Sequence, residues 1–141
     1  MGTAFYGNSK RSFNWESATF EVKKMEHQMK LFEEPFELIK SGKKVIEIRL
    51  NDEKRQAIKI GDEIKFFKLP TCEESLKVKV LGLLQYCSFE QLYKDIPFVL
   101  FGCEEKELEQ MLDGTYAIYT KDQEIKYGAL GIRIELIKEE I

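Results

Sequence analysis

The stretch Val45-Ile46-Glu47-Ile48-Arg49-Leu50 constrains this chain more than any other. β-branched and charged residues alternate in it, and successive side chains of a strand point to opposite faces. Ile46, Ile48 and Leu50 therefore share one face, while Val45, Glu47 and Arg49 share the other. The isoleucine face is expected in a core, and Glu47 and Arg49 are expected to line a partly open concavity. A strand of this quality needs partners, so the chain must build a sheet.

Those partners are legible nearby. Met29 and Leu31 flank Lys30 in alternation, and Ile64 to Phe67 follow a Gly61-Asp62 turn. Leu76, Val78 and Val80 alternate with Lys77 and Lys79, and Ala129 to Ile137 places Leu130, Ile132, Ile134 and Leu136 on one face. Helices interrupt them. Glu33, Glu34 and Pro35 suit a first turn, and Ser41-Gly42 suits a stop, so a helix is expected over Glu33 to Lys40. Ser88 with Gln91 makes a capping box for a short helix through Tyr93, with Pro97 ending that region. A helix over Glu104 to Leu112, closed by Asp113-Gly114, follows from Leu108, Met111 and Leu112. Thr120 and Gln123 form another capping box before Tyr127-Gly128. The order is not strict βαβ alternation. An α+β domain is expected, an antiparallel or mixed barrel-like sheet with helices at one side.

The chain's 141 residues suit one domain, and a content of 43% hydrophobic and 12% aromatic side chains excludes disorder. Residues 1–24 differ from the remainder. They carry four basic against two acidic side chains, whereas residues 25–141 carry eighteen against twenty-three. The domain is expected over residues 25–141, with residues 1–24 an extension or added segment before a start at Met25. The alternative is an integral first element packed through Phe13, Trp15 and Phe20.

The longest apolar run, Ile96 to Phe101, is broken by Pro97 and stops at Gly102, far short of a membrane span. No apolar region follows Lys10 and Arg11, so no secretory signal is read and a cytoplasmic location is expected. Cys72, Cys87 and Cys103 are odd in number and widely spaced, which suits buried or half-buried reduced thiols. His27 is the only histidine, which excludes a histidine-rich metal site. It and Trp15 read as structural, and no metal or cofactor is expected. A net charge of -3 argues against a protein that coats nucleic acid by bulk electrostatics, and leaves room for a locally basic cleft.

The residues that carry chemistry run from Ser41 to Arg49. Gly42 permits a tight turn from helix to strand, where backbone or ligand can approach. Lys44 stands at the strand entrance. Glu47 and Arg49 offer a carboxylate acceptor beside a planar five-donor guanidinium, a combination suited to a base edge or a phosphate. Spacing alone also fits a same-face surface pair worth about 0–1 kcal/mol beside a solvated Lys44. Asp52, Glu53, Lys54 and Arg55 fit either a loop over the cleft mouth or a solvated turn. Tyr86, Tyr93, Tyr116, Tyr119 and Tyr127 are candidates for a base-stacking platform.

Gly42, Lys44, Glu47 and Arg49 match the GxKxxExR motif of ASCH domains, relatives of the RNA-binding PUA fold. The resemblance continues through Lys30-Leu31, Pro35-Phe36, Ile39-Lys40, Leu50, Asp52 to Arg55, Gly61-Asp62, Tyr127-Gly128 and Gly131-Ile132, covering about residues 25–137. It implies a PUA-like mixed β-barrel with flanking helices. It also implies a cleft in which Gly42, Lys44, Glu47, Arg49 and Arg55 bind RNA or a nucleoside-like small molecule. One branch of the family resembles small amidohydrolases acting on acetylcytidine, with the motif GxKTxTxR. Lys44 matches its catalytic lysine, but Val45 and Glu47 stand where that branch has threonines, so its nucleophile is missing. A hydrolase built on this chain would rely on Lys44 and on Glu47 activating a water. A protein-interaction domain is the third alternative.

Overall fold

The computed structural model describes residues 24–138. Phe13, Trp15 and Phe20, and with them the nature of the first segment, lie outside the described residues. In chain order the elements are β1 (Glu26–Leu31), α1 (Glu33–Lys40), β2 (Ile46–Leu50), α2 (Glu53–Gln56), β3 (Glu63–Lys68) and β4 (Ser75–Tyr86). They continue with α3 (Phe89–Asp95), a 3-10 turn (Phe98–Phe101), α4 (Leu108–Tyr116), α5 (Lys121–Tyr127) and β5 (Ala129–Leu136).

One five-stranded sheet has the order β1-β3-β4-β5-β2. β1 runs parallel to β3, and every other pairing is antiparallel. The sheet curls into a half-barrel whose two edges are β1 and β2, a PUA-like α+β architecture. One face of the sheet, with Ile64, Phe66, Val78, Val80, Leu130 and Ile132, packs around Phe36 and Ile39 of α1. On the other face, Ile46, Leu50 and Ala129 pack against Phe89, Leu92, Tyr93, Phe101 and Met111 of the helical segment. Two cores thus share one sheet.

The α1 and α5 boundaries follow their end signals. In α5, Gln123 N–H donates to Thr120 Oγ1 at 3.1 Å while Thr120 N–H donates to Gln123 Oε1 at 2.8 Å. α3 starts on Ser88, whose Oγ accepts the Gln91 N–H at 3.1 Å, and runs on to Asp95. The charged residues after Asn51 hold a one-turn helix capped by Asp52.

Three expectations are corrected. α4 does not span Glu104 to Leu112: Glu107 N–H donates to Gln110 Oε1 at 2.8 Å, which starts the helix at Leu108. It passes through Asp113-Gly114 because Met111 and Thr115, one turn apart, are both buried. β4 extends six residues beyond Val80, with a bulge between Val80 and Gly82. The bulge shifts parity, so Val78 and Val80 before it and Leu83 after it face the same core. Cys72 and Cys103 are half-buried, but Cys87 is exposed ahead of the α3 cap; all three are free thiols.

Two buried carboxylates fasten the scaffold. Asp62 accepts from His27 Nε2 at 2.8 Å, Lys59 N–H at 2.9 Å and Met25 N–H at 3.2 Å, tying β1 to the turn before β3. Burial pushes its carboxyl up, but His27 and the two N–H donors more than offset this and hold it below the ordinary aspartate range. Glu124 of α5 accepts the Phe89 N–H at 2.7 Å and the Tyr116 hydroxyl at 2.9 Å, joining α5 to α3 and α4. Burial and that carboxylate push the Tyr116 phenol up to about 12. Removing Glu124 would orphan a buried amide and a half-buried hydroxyl. Glu124→Ala is expected to cost about 1–3 kcal/mol in urea unfolding. Glu90→Ala, which breaks only an exposed pair with Lys94, should stay within about 0.5 kcal/mol.

Candidate functional site

The site begins where α1 stops. Ser41 N–H reaches Glu37 O and Gly42 N–H reaches Ile39 O, both at 3.0 Å. Gly42 then takes φ +81°, in the left-handed region, and the Lys43 and Lys44 N–H groups both turn back to Leu38 O. That turn feeds the chain directly into β2 with Lys44 beside the first residues of the strand.

In β2 the register pairs Glu47 with Ile132 and Arg49 with Leu130. Side chains of directly paired residues share a face, and Ile132 and Leu130 belong to the α1 side of the sheet. The charged face of β2 therefore points into the curl, and Ile46 and Leu50 point out towards the helices. Glu47 is only 4% exposed, as buried as the core around it, whereas Ile48 is half-buried. Glu47 Oε1 lies 3.3 Å from Lys44 Nζ, and Oε2 accepts from Arg49 Nε at 2.7 Å. Arg49 Nη2 donates to the main-chain oxygen of Lys30, on the opposite edge of the sheet, at 2.8 Å. Burial pushes the Glu47 carboxyl up, but the adjacent Lys44 and Arg49 charges prevail and hold it below the ordinary glutamate range. Burial lowers and Glu47 raises the Arg49 guanidinium, with a net rise.

This cluster forms one wall of a cleft of about 370 Å³, within the range of small-molecule sites. Phe32, Pro35 and Leu38 of the α1 region form a second wall, and Tyr93, Met111, Thr115 and Tyr119 a third. At the rim, Lys106 and Glu34 approach to 3.7 Å, and Phe32 is 60% exposed. Tyr119 stacks on Phe89 with centroids 5.6 Å apart. On the far wall, Thr115 Oγ1 donates to Met111 O at 2.9 Å and lies 2.6 Å from the Tyr93 oxygen. Thr115 has a single hydroxyl proton and spends it on Met111, so Tyr93 is the donor of the pair. Burial pushes the Tyr93 phenol up to about 12, keeping it protonated.

The edge of β2 contributes main chain as well. Ile134 N–H donates to Val45 O, and Asn51 N–H donates to Gly128 O. With antiparallel alternation, residues 45, 47, 49 and 51 face β5. The N–H and C=O of Ile48 therefore point away from β5, at the edge where Ile48 lines the cleft.

Of the sequence candidates, Lys44, Glu47, Arg49, Tyr93 and Tyr119 line this cleft. Gly42 does not; it borders a separate hollow with Val45 and Leu81, and its contribution is the turn. Arg55 faces an adjoining concavity, with Nη1 bonded to Asp52 at 2.9 Å. Tyr86, Tyr116 and Tyr127 are bonded to Asp95, Glu124 and Glu53 instead. Phe32, Thr115 and Lys106 were not singled out from sequence. Phe32 carried a signal: an aromatic just after the Met29/Leu31 alternation, on the face that alternation leaves to solvent. Thr115 and Lys106 carried none, since only tertiary packing brings them to β2.

Among the described residues, no His, Cys, Asp and Glu group could hold a metal ion, and no helix is long and apolar enough to cross a membrane.

A half-barrel with a polar cleft at the gap between its edge strands places the chain among PUA-like domains. The sequence model of the ASCH domain matches residues 29–138, and the chain belongs to the ASCH domain family. A crystal structure of a hypothetical protein, PH0355, is 40% identical over 80% of this chain and 100% of its own, with a TM-score of 0.71. The solution structure of protein PF0455 from Pyrococcus furiosus is 37% identical over 82% of this chain and 100% of its own, with a TM-score of 0.66. ASCH from Zymomonas mobilis aligns over 80% of this chain and 68% of its own at 15% identity and a TM-score of 0.49. Comparison with curated proteins finds no match.

The depressed Glu47 carboxyl sets a pH dependence. A group titrating lower in the folded state stabilises it above the unfolded value, about 4.3 for glutamate, and that contribution is lost as pH falls through the native value. Glu47→Gln would also leave Lys44 and Arg49 facing one another. The variant is expected to lose about 3 kcal/mol at neutral pH. Its acid limb should be shallower than that of the parent, read from urea midpoints between about pH 7 and about pH 3.

Proposed function

We propose that the cleft binds a nucleobase, presented by RNA or by a modified nucleotide. The observation that carries this reading is the Lys44–Glu47–Arg49 cluster held at the unpaired edge of β2. Arg49 is fixed by Glu47 and by the Lys30 carbonyl, so little side-chain entropy is lost when a ligand arrives. The Ile48 N–H and C=O present a donor and an acceptor side by side, complementary to the amide-like edge of a base. Exposed Phe32 supplies an aromatic surface at the mouth. Membership of a family related to RNA-binding PUA domains agrees with this reading.

Amide hydrolysis is disfavoured by the same geometry. Both Glu47 oxygens are engaged by cations, and the carboxyl is held below its ordinary range, which makes it a poor base. Val45 and Glu47 stand where the hydrolase branch has its threonines, so neither position offers a hydroxyl nucleophile; Val45 packs with the helical core and does not line the cleft. Purified protein is expected to show no turnover of acetylcytidine. Enzyme-like hydrolysis abolished by Lys44→Ala or Glu47→Ala would overturn that expectation.

Binding is tested with short RNAs and free nucleosides by titration calorimetry. Arg49→Ala should weaken binding by about 1–3 kcal/mol, while Lys43→Ala, exposed and outside the cleft, should change it little. Arg49→Lys retains the charge but not the two-pronged geometry, and should resemble the alanine variant. Equal small losses for Arg49→Ala and Lys43→Ala would reduce the interaction to diffuse electrostatics.

A further inference from the structure

Arg49 also borders a second, more open concavity of about 650 Å³, which it shares with Lys30, Lys54, Arg55 and Phe67. Lys30 and Arg49 line both hollows, so the two adjoin at the β2 edge. No carboxylate lines the second one. In a chain with 25 acidic and 22 basic side chains, four converging cations run against the overall composition. Lys30 and Lys54 are exposed and have no ion-pair partner among the described residues. Arg49 and Arg55 do have carboxylate partners, Glu47 and Asp52, but neither partner lines the hollow. Arg55 is held by Asp52 through Nη1, and its buried Nε has no hydrogen-bond partner among the described residues.

An array of cations without carboxylates, beside a site for a base, has the chemistry of a phosphodiester track. We propose that this concavity is a phosphate-binding shelf, and that the ligand of the cleft is a nucleotide within a single strand rather than a free nucleoside. The inference rests on the nucleobase reading of the cleft. A base held in a stacked duplex does not reach the Ile48 edge, whereas a single strand can place one base in the cleft and its flanking phosphates along Lys54 and Arg55. The strand must turn past Arg49, the residue common to both hollows.

The test uses the full chain and a fluorescein-labelled, mixed-sequence single-stranded RNA about ten nucleotides long, titrated by anisotropy over a range of salt. Lys54→Ala, outside the cleft, is the shelf variant. It should weaken RNA binding several-fold and reduce the slope of log K against log salt by about 0.7, the value for one phosphate contact on a single strand. Lys54→Glu should weaken it further, and cytidine binding should be unchanged in both. Cytidine binding as tight as RNA binding, or an unchanged salt slope in Lys54→Ala, overturns the shelf and leaves the cleft reading intact. Cytidine 5′-monophosphate that matches the RNA in affinity and in its response to Lys54→Ala also overturns the strand assignment. A polyglutamate peptide that competes as well as the RNA marks a general polyanion surface and overturns it too. Loss of neither ligand in Arg49→Ala sinks the nucleobase reading itself.

Discussion

Everything around the cleft depends on one buried carboxylate. Glu47 sits at the gap between β1 and β2, the two edges of the sheet, where no backbone ladder joins them. A carboxylate this buried is tolerable only if its charge is matched and its oxygens are hydrogen-bonded. Lys44 and Arg49 supply both, and Arg49 passes the constraint on to the Lys30 carbonyl. A chain of side-chain bonds thus replaces the missing strand pairing. It leaves a hollow where a sixth strand would otherwise lie.

The third wall of that hollow belongs to a different core. Tyr93 and Met111 belong to the cluster on the opposite face of the sheet from α1, and Thr115 of α4 is bonded to Tyr93. α4 is placed by contacts with α3 and by Glu124 of α5, which reaches both helices. The cleft is therefore bounded by two independently packed units that meet at β2.

The elements legible in the sequence were those whose signals are local. Glu33–Lys40 carries its own acidic start and glycine stop, and Thr120 with Gln123 caps its helix regardless of the surroundings. β2 was legible because its alternation is strict. β4 was read only as far as Val80 because the bulge breaks its alternation at Leu81-Gly82, and the continuation depends on its pairing with β5. α4 was displaced because Gly114 looks like a stop, while the burial of Thr115 one turn after Met111 carries the helix through it. At the site, the sequence puts Lys44 at the entrance of a strand and Glu47 and Arg49 on one face of it. The pair is expected in a partly open concavity, but the burial of Glu47 beside a half-buried Ile48 has no local signal, because alternation tells which residues share a face and not how deeply that face is covered. The parallel pairing of β1 with β3, which brings Lys30 opposite Arg49, is a long-range fact with no local signature.

The unpaired edges of this sheet have a consequence for solubility. Free strand edges invite pairing with other chains, and proteins commonly blunt them with charge, bulges or a covering element. Here both edges border the same gap, with α1 packed against the sheet beside it and buried charges in between. The polar cluster that shapes the cleft thus also keeps a neighbouring strand from docking on β2. The proposed ligand access and resistance to aggregation draw on the same few side chains, so neutralising them puts the fold's colloidal behaviour at risk along with the proposed recognition chemistry.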